Sequence, residues 1–264
     1  MRFESPSRPA VADPTPQPPA GPRTATLRRS VELFRSFLVE QTDPDRFYGT
    51  LAADSVRQLS RYVSLHDKTV LDVGGGPGYF AAAFTGAGAR YIRLEPDAGD
   101  MAGGATGEDA SVGALRASGM ELPIRTASVD VCYSSNVLEH VPDPPRMLDE
   151  MVRVTRPGGT IFASFTPWWS PWGGHETAPW HYLGGEYAVR RYERRNGKPP
   201  KNRVGYSLHP YSVGSALSWA RQARGATMVD AIARYHPWWA QWIVKVPAAR
   251  EVLSWNLAMV LRRD

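Results

Sequence analysis

Val70-Leu71-Asp72-Val73-Gly74-Gly75-Gly76-Pro77-Gly78-Tyr79-Phe80 places an apolar strand, a glycine loop and the opening of a helix in direct succession. Glycines so spaced mark a loop whose backbone must come close to a ligand, because side chains at Gly74, Gly76 and Gly78 would obstruct the approach. A strand running into such a loop is the first unit of a βαβ arrangement, and the rest of the chain is read outward from it.

Strand-like apolar runs follow the same pattern at residues 69–73, 90–94, 129–134 and 160–165, separated by helical or glycine-rich stretches. That alternation predicts βαβ units and a parallel sheet. Before the first strand, Leu27, Val31, Phe34 and Leu38 recur at the spacing of one helical face. A second helix starts after Asp43-Pro44, a cap and first-turn pair, and runs through Leu51, Val56, Leu59 and Val63. The helix preceding the run at 160–165 opens at Asp143-Pro144-Pro145 and closes at Arg156-Pro157-Gly158-Gly159. Residues 166–205 break the pattern. They are dense in Trp, Gly, Pro and basic residues, show no clear periodicity, and read as an insertion over one edge of the sheet. A helix over about 212–224 and strands near 226–234 and 255–261 complete a doubly wound α/β fold with a seven-stranded, mostly parallel sheet and the Trp-rich insertion as a cap.

The length of 264 residues suits one domain with decorations. Residues 1–23, rich in Pro and poor in large apolar side chains, are expected to form a disordered tail, leaving 24–264 as the domain, with its motifs in 69–165 and the cap in 166–205. The net charge of +5 is concentrated: between residues 190 and 203 stand Arg190, Arg191, Arg194, Arg195, Lys198, Lys201 and Arg203 against Glu193 alone. Such a run reads as a solvated face, and no nucleic-acid partner is expected. A single cysteine, Cys132, excludes an intramolecular disulfide and a Cys-x-x-Cys metal site. No signal-like or span-like apolar stretch occurs, so the expected location is the cytoplasm.

The glycine loop alone does not name its ligand. From Gly76, the run Gly76-Pro77-Gly78-Tyr79-Phe80-Ala81 also satisfies a dinucleotide pattern, which keeps an NAD-dependent oxidoreductase open as an alternative. That register starts well past the strand end and gives Asp72 no role. With Asp72, Gly74, Gly76 and Gly78 on acid-x-Gly-x-Gly-x-Gly, the segment resembles motif I of class I, Rossmann-like S-adenosylmethionine-dependent methyltransferases. Three more segments share the resemblance: Glu95 after the second strand, residues 117–131 as an adenine loop and fourth strand, and Ser135-Asn136-Val137-Leu138-Glu139-His140-Val141 with Arg156-Pro157-Gly158-Gly159, as in the type 11 methyltransferase domain. Taken whole, the chain is also similar to uncharacterised actinobacterial methyltransferases.

The resemblance implies S-adenosyl-L-methionine as cofactor, held by Asp72, Gly74, Gly76, Gly78 and Glu95, the last accepting from both ribose hydroxyls. Adenine would lie against Ser118, Gly119 and Met120, with Asn136 also at the cofactor. Where the family often has an acid for the adenine amino group, this chain has Ser118. The sulfonium methyl is already electrophilic, so the protein needs mainly to align an acceptor and, for an oxygen acceptor, remove a proton. No metal is called for. His140, just beyond the fourth strand, is the candidate general base, with packing beside the cofactor as its other reading. Trp168, Trp169, His175, Glu176, His181 and Tyr182, all in the insertion, are candidates for an acceptor pocket, and Trp172 and Trp180 add to its aromatic content. The expected activity is methyl transfer to a small-molecule or lipid acceptor, with oxygen as the receiving atom. A non-catalytic binding module of the same fold is the other alternative. Trp238, Trp239 and Trp242 beside Lys245 admit peripheral contact with the inner face of the membrane.

Overall fold

The computed structural model describes residues 25–40, 42–99 and 112–264; the tail expected over 1–23 lies outside them. Seven strands form one sheet: β1 (Thr69–Val73), β2 (Arg90–Leu94), β3 (Val112–Leu115), β4 (Val129–Ser135), β5 (Thr155–Phe165), β6 (Ala226–Ala233) and β7 (Leu257–Arg263), in the order β3-β2-β1-β4-β5-β7-β6. The first five run parallel, while β7 lies antiparallel between β5 and β6. The expected doubly wound architecture is therefore present, with a mixed edge.

β1 and β4 are buried on both faces, as continuous apolar runs in a parallel sheet should be. Leu71, Val73 and Cys132 point into one core with Leu148 and Met151 of α4 (Pro144–Val154) and with Ala216 and Leu217 of α6 (Val213–Gln222). Val70, Val131 and Tyr133 point into the other, against α1 (Leu27–Phe37), α2 (Pro44–Leu59) and α3 (Ala81–Gly86). Each fully buried side chain of this size contributes about 1.5 to 3 kcal/mol. Three helices start where the caps predict: Asp43 accepts from Arg46 N, Asp143 from Arg146 N and Ser212 from Ser215 N.

Three expectations are corrected. In α1 the predicted apolar face is largely outside: Leu27 and Val31 are exposed, and Leu33 is buried. The aromatic side chains of this helix turn instead toward Trp172 and Trp255, with Phe37 to Trp172 at 5.1 Å and Phe34 to Trp255 at 6.0 Å between ring centres. The Arg156-Pro157-Gly158-Gly159 segment is no separate turn. α4 ends at Val154, and β5 begins at Thr155 with an irregular register to β4 between Val129 and Val131. Finally, residues 166–205 contain α5 (Gly185–Asn196) and two 3-10 turns, His175–Thr177 and Trp180–Leu183. The run of bases hid the period of α5, and its low apolar content fits its mostly exposed surface.

Arg234, 1% exposed at the end of β6, fastens the carboxyl ends of the central strands. One terminal nitrogen donates to Ser135 Oγ (2.7 Å) and Ser164 Oγ (2.6 Å), and the other donates to Ser55 Oγ (2.7 Å) and Tyr133 OH (3.3 Å). Its carbonyl accepts from Arg29, whose fork also grips Asp54 at 2.7 and 2.6 Å. Asp54 is thus the buried carboxylate that offsets Arg29, with Arg234 close behind. Replacing it should leave a mostly buried guanidinium without its counter-charge, which costs about 3 to 5 kcal/mol. Urea denaturation of Asp54→Ala is expected to show a loss of that size, whereas an exposed pair such as Arg190 with Glu186 should show less than about 1 kcal/mol on the same truncation.

Candidate functional site

The loop after β1 meets the end of β2. Gly74 N and Gly75 N both donate to Leu94 O, at 2.7 and 3.2 Å. Gly74, Gly76 and Gly78 all have positive φ (82°, 49° and 92°), which only glycine adopts without strain. A Cβ on Gly74 would collide with Val137 after β4, and one on Gly78 would press the Arg93 guanidinium at 3.2 Å. A Cβ on Gly76 would meet nothing within 4 Å, so this glycine borders open space. Glu95 faces the same loop, with Oε2 accepting from Gly76 N at 3.2 Å and Oε1 from Asp97 N at 3.2 Å. Arg93 donates to Gly76 O at 3.0 Å and braces the loop from beneath.

Asp72 is 2% exposed and accepts from Tyr91 OH at 2.5 Å. Burial raises its pKa to about 7; the Tyr91 bond opposes that shift, and the charge of Glu95 adds to it. Tyr91 and Arg93 went unread in the sequence. They face the loop because β2 pairs in register with β1, Tyr91 beside Val70 and Arg93 beside Asp72. Tyr79, also unread, stacks on Tyr48 of α2 at 4.6 Å and ties the loop to that helix.

Ser118, Gly119 and Met120 form a tight turn, with Met120 N donating to Ser118 Oγ and Glu121 N to Ser118 O, both at 3.2 Å. A Cβ on Gly119 would come within 2.9 Å of Val73 and 3.2 Å of Met147, so glycine lets this turn lie on the end of β1. Asn136 has φ 57° and donates its backbone N–H to Ser164 O at 2.8 Å. Its side chain is engaged sideways: Oδ1 accepts from Asn256 at 2.7 Å, and Nδ2 reaches Tyr235 OH at 3.5 Å.

Beyond β4, the 3-10 turn Leu138–His140 presents a second polar group. Glu139 is buried and accepts from Thr166 N at 2.9 Å through Oε1. Burial raises its pKa, and His140 and the Thr166 bond work against that rise. His140 Nδ1 lies 2.7 Å from Ser207 O, and its ring meets that of His175 at 5.0 Å. Burial, then the nearby His140, lowers His175 to about 3.

Of the candidates in the insertion, His175 alone is shown in contact with His140. Trp168 and His181 are buried against one another, with ring centres 5.1 Å apart, and His181 Nε2 sits 3.2 Å from Ser170 O. Tyr182 donates to Trp169 O at 3.0 Å, and Glu176 is exposed and accepts from Asn202 at 3.1 Å. Trp180 lies under Arg191 at 3.9 Å. These contacts hold the insertion together, and Trp172 packs on Phe34 and Phe37 of α1.

A family model described as a methyltransferase domain matches residues 71–163. A protein of Mycobacteroides abscessus named an uncharacterised methyltransferase is 54% identical over 248 residues, covering 90% of this chain and 95% of its own length. One of the same name from Mycolicibacterium gilvum is 50% identical over 245 residues, covering 90% and 95%. The S-adenosylmethionine-dependent methyltransferase of Mesorhizobium loti shares the fold with a TM-score of 0.56 at 19% identity, over 79% of this chain and 96% of that one. The nicotinamide register read from Gly76 is set aside, since these relatives span nearly the whole chain.

The state of Asp72 yields a pH test. A folded pKa near 7, against about 4 in the unfolded chain, means that folding opposes ionisation. The stabilising contribution is complete below about pH 4, where both states hold the proton, and is lost as pH rises through 7. Asp72→Asn keeps an acceptor for Tyr91 and cannot ionise. Chemical denaturation is expected to find its stability close to that of the parent at pH 4 and about 2 to 4 kcal/mol higher at pH 8.

Proposed function

The chain belongs to the class I S-adenosylmethionine-dependent methyltransferases, and on that premise we propose that it methylates an oxygen atom of a small-molecule or lipid acceptor. The observation that carries the cofactor assignment is the Glu95 carboxylate held against the glycine loop, 3.2 Å from Gly76 N, beside the open space at Gly76. A carboxylate there suits ribose hydroxyls, which donate to it. Asp72 would face the methionine end, Gly74, Gly76 and Gly78 would admit the ligand to the backbone, and Ser118, Gly119 and Met120 would border adenine. Asn136, its side chain engaged elsewhere, would contribute through its backbone.

The bound cofactor supplies an electrophilic methyl group. What remains for the chain is to hold the acceptor oxygen in line with it and to assist loss of the hydroxyl proton. His140 is the group proposed for that end, being polar, half-buried and just past β4 at the carboxyl edge, where ligands of doubly wound sheets bind. His175 shares the position, and Trp168, Trp169, Glu176, His181 and Tyr182 belong to the insertion that would flank the acceptor. The insertion is proposed as the cap of a single domain spanning residues 24–264.

A specific observation favours a lipid-borne acceptor. Trp238, Trp239 and Trp242, in the 3-10 run Trp238–Lys245, are 43%, 56% and 52% exposed, and Val252 and Leu253 of α7 (Pro247–Leu253) are exposed as well. Exposed tryptophans beside Lys245 suit the headgroup region of a bilayer. No helix among the described residues is long and apolar enough to cross a membrane, and the contact proposed is peripheral, at the cytoplasmic face.

Two experiments test this reading. In calorimetry with S-adenosylhomocysteine, Asp72→Ala and Glu95→Ala should each lose about 1 to 3 kcal/mol of affinity, whereas His140→Ala should bind normally and lose turnover. Unchanged affinity in both carboxylate variants overturns the cofactor assignment. In vesicle flotation, binding to anionic lipid should be strong at low salt, weaken at high salt and disappear when Trp238 and Trp239 are both replaced by Ala. No flotation at low salt would leave a soluble acceptor.

A further inference from the structure

Glu139, His140 and His175 bring one carboxylate and two imidazoles to a single point, with one ligand atom from each lying within 4.8 Å of the others. Two of the three keep a buried polar atom without a hydrogen-bond partner. Glu139 is 1% exposed; its Oε1 is occupied by Thr166 N, and its Oε2 has no partner. The Ser207 carbonyl can only accept, so His140 Nδ1 carries the proton in that 2.7 Å contact, and the lone pair of the neutral ring is on Nε2. A backbone carbonyl on the far nitrogen is the arrangement that fixes a metal-binding histidine in its tautomer. His175 Nε2 is buried and also without a partner, and the residue is held at φ 48°, a conformation rare outside glycine and costly unless the site requires it.

We propose that these three side chains bind a divalent transition-metal ion, with zinc as the reference ion. Two imidazoles and a carboxylate form a donor set suited to such ions, and three protein ligands leave at least one coordination position open. Ligand atoms about 2.1 Å from an ion lie roughly 3 to 3.5 Å from one another, so the three side chains would draw together by up to roughly 1.5 Å to hold it. His140 is half-buried, which gives the ion a way in. The existence of the site does not depend on the proposed function. Its role does: with the ion bound, His140 serves as a ligand in place of a base, and the open position at the carboxyl edge would receive the acceptor oxygen and ease loss of its proton, so the class of acceptor becomes a hydroxyl compound able to coordinate a metal.

The test uses tag-free full-length protein, stripped with chelator and titrated with zinc and with manganese against a chromogenic competitor. One zinc per chain is expected, with affinity falling at least tenfold in Glu139→Gln, His140→Ala and His175→Ala and the unfolding temperature of the parent alone rising with added zinc. Glu139→Gln keeps the acceptor for Thr166 and removes only the charge, so it guards against a variant that merely fails to fold. Absence of a stoichiometric ion, or zinc affinity in the three variants unchanged from the parent, overturns the proposal. Calorimetry with S-adenosylhomocysteine on the same samples separates the two readings: metal binding without nucleoside binding leaves the site and removes the methyltransfer reading, and the reverse removes only the site.

Discussion

Parallel pairing of β1 with β2 on one side and β4 on the other is the constraint from which the rest of the molecule follows. Parallel neighbours cannot be joined by a hairpin, so the connections among β1 to β5 cross a face of the sheet and these five strands release their chain at the same edge. The glycine loop, Glu95 and the turn at Leu138–His140 therefore meet there although they are far apart in sequence. Gly74 fits under Val137, and Gly119 fits over Val73, because the three strand ends leave no room for a side chain between them.

That edge also gathers buried charge. Asp72, Glu139 and Arg234 are all withdrawn from water, each beside a different strand end. Arg234 gives both terminal nitrogens to hydroxyls, leaves its Nε without a partner and has Asp54 nearby through Arg29, and it stiffens the frame. Asp72 is held by one tyrosine, and Glu139 keeps a bare oxygen. In a medium of low polarity, an incompletely partnered carboxylate is costly, so a fold retains it where a ligand completes it. The frame and the candidate site are made of the same kinds of group, buried along one edge of the sheet.

The parts legible in the sequence were those written locally. Asp72 stands one residue before the end of β1, the glycines and Glu95 directly follow strand ends, and Asp43, Asp143 and Ser212 cap the helices that begin after them. The illegible parts depend on distant partners. Spacing predicted a helix at Leu27–Phe37 but chose the wrong face, since Trp172 and Trp255 decide which ring side is covered. His175 looked like one of several polar residues in an irregular stretch, and only the folded insertion brings it to His140. Tyr91 could not be paired with Asp72 without the register of β2 on β1.

The antiparallel end of the sheet has a consequence for how the chain is made. β6 touches the sheet only through β7, which occupies the slot between it and β5. As the polypeptide leaves the ribosome, β6 emerges first and has no strand to join, while β5 shows an unpaired margin of N–H and C=O groups. Both remain open until residues 257–263 arrive and bond to the two neighbours at once. During that interval the nascent protein carries exposed strand edges of the kind that recruit other chains. The last strand of the sheet is thus the one that closes both of these margins.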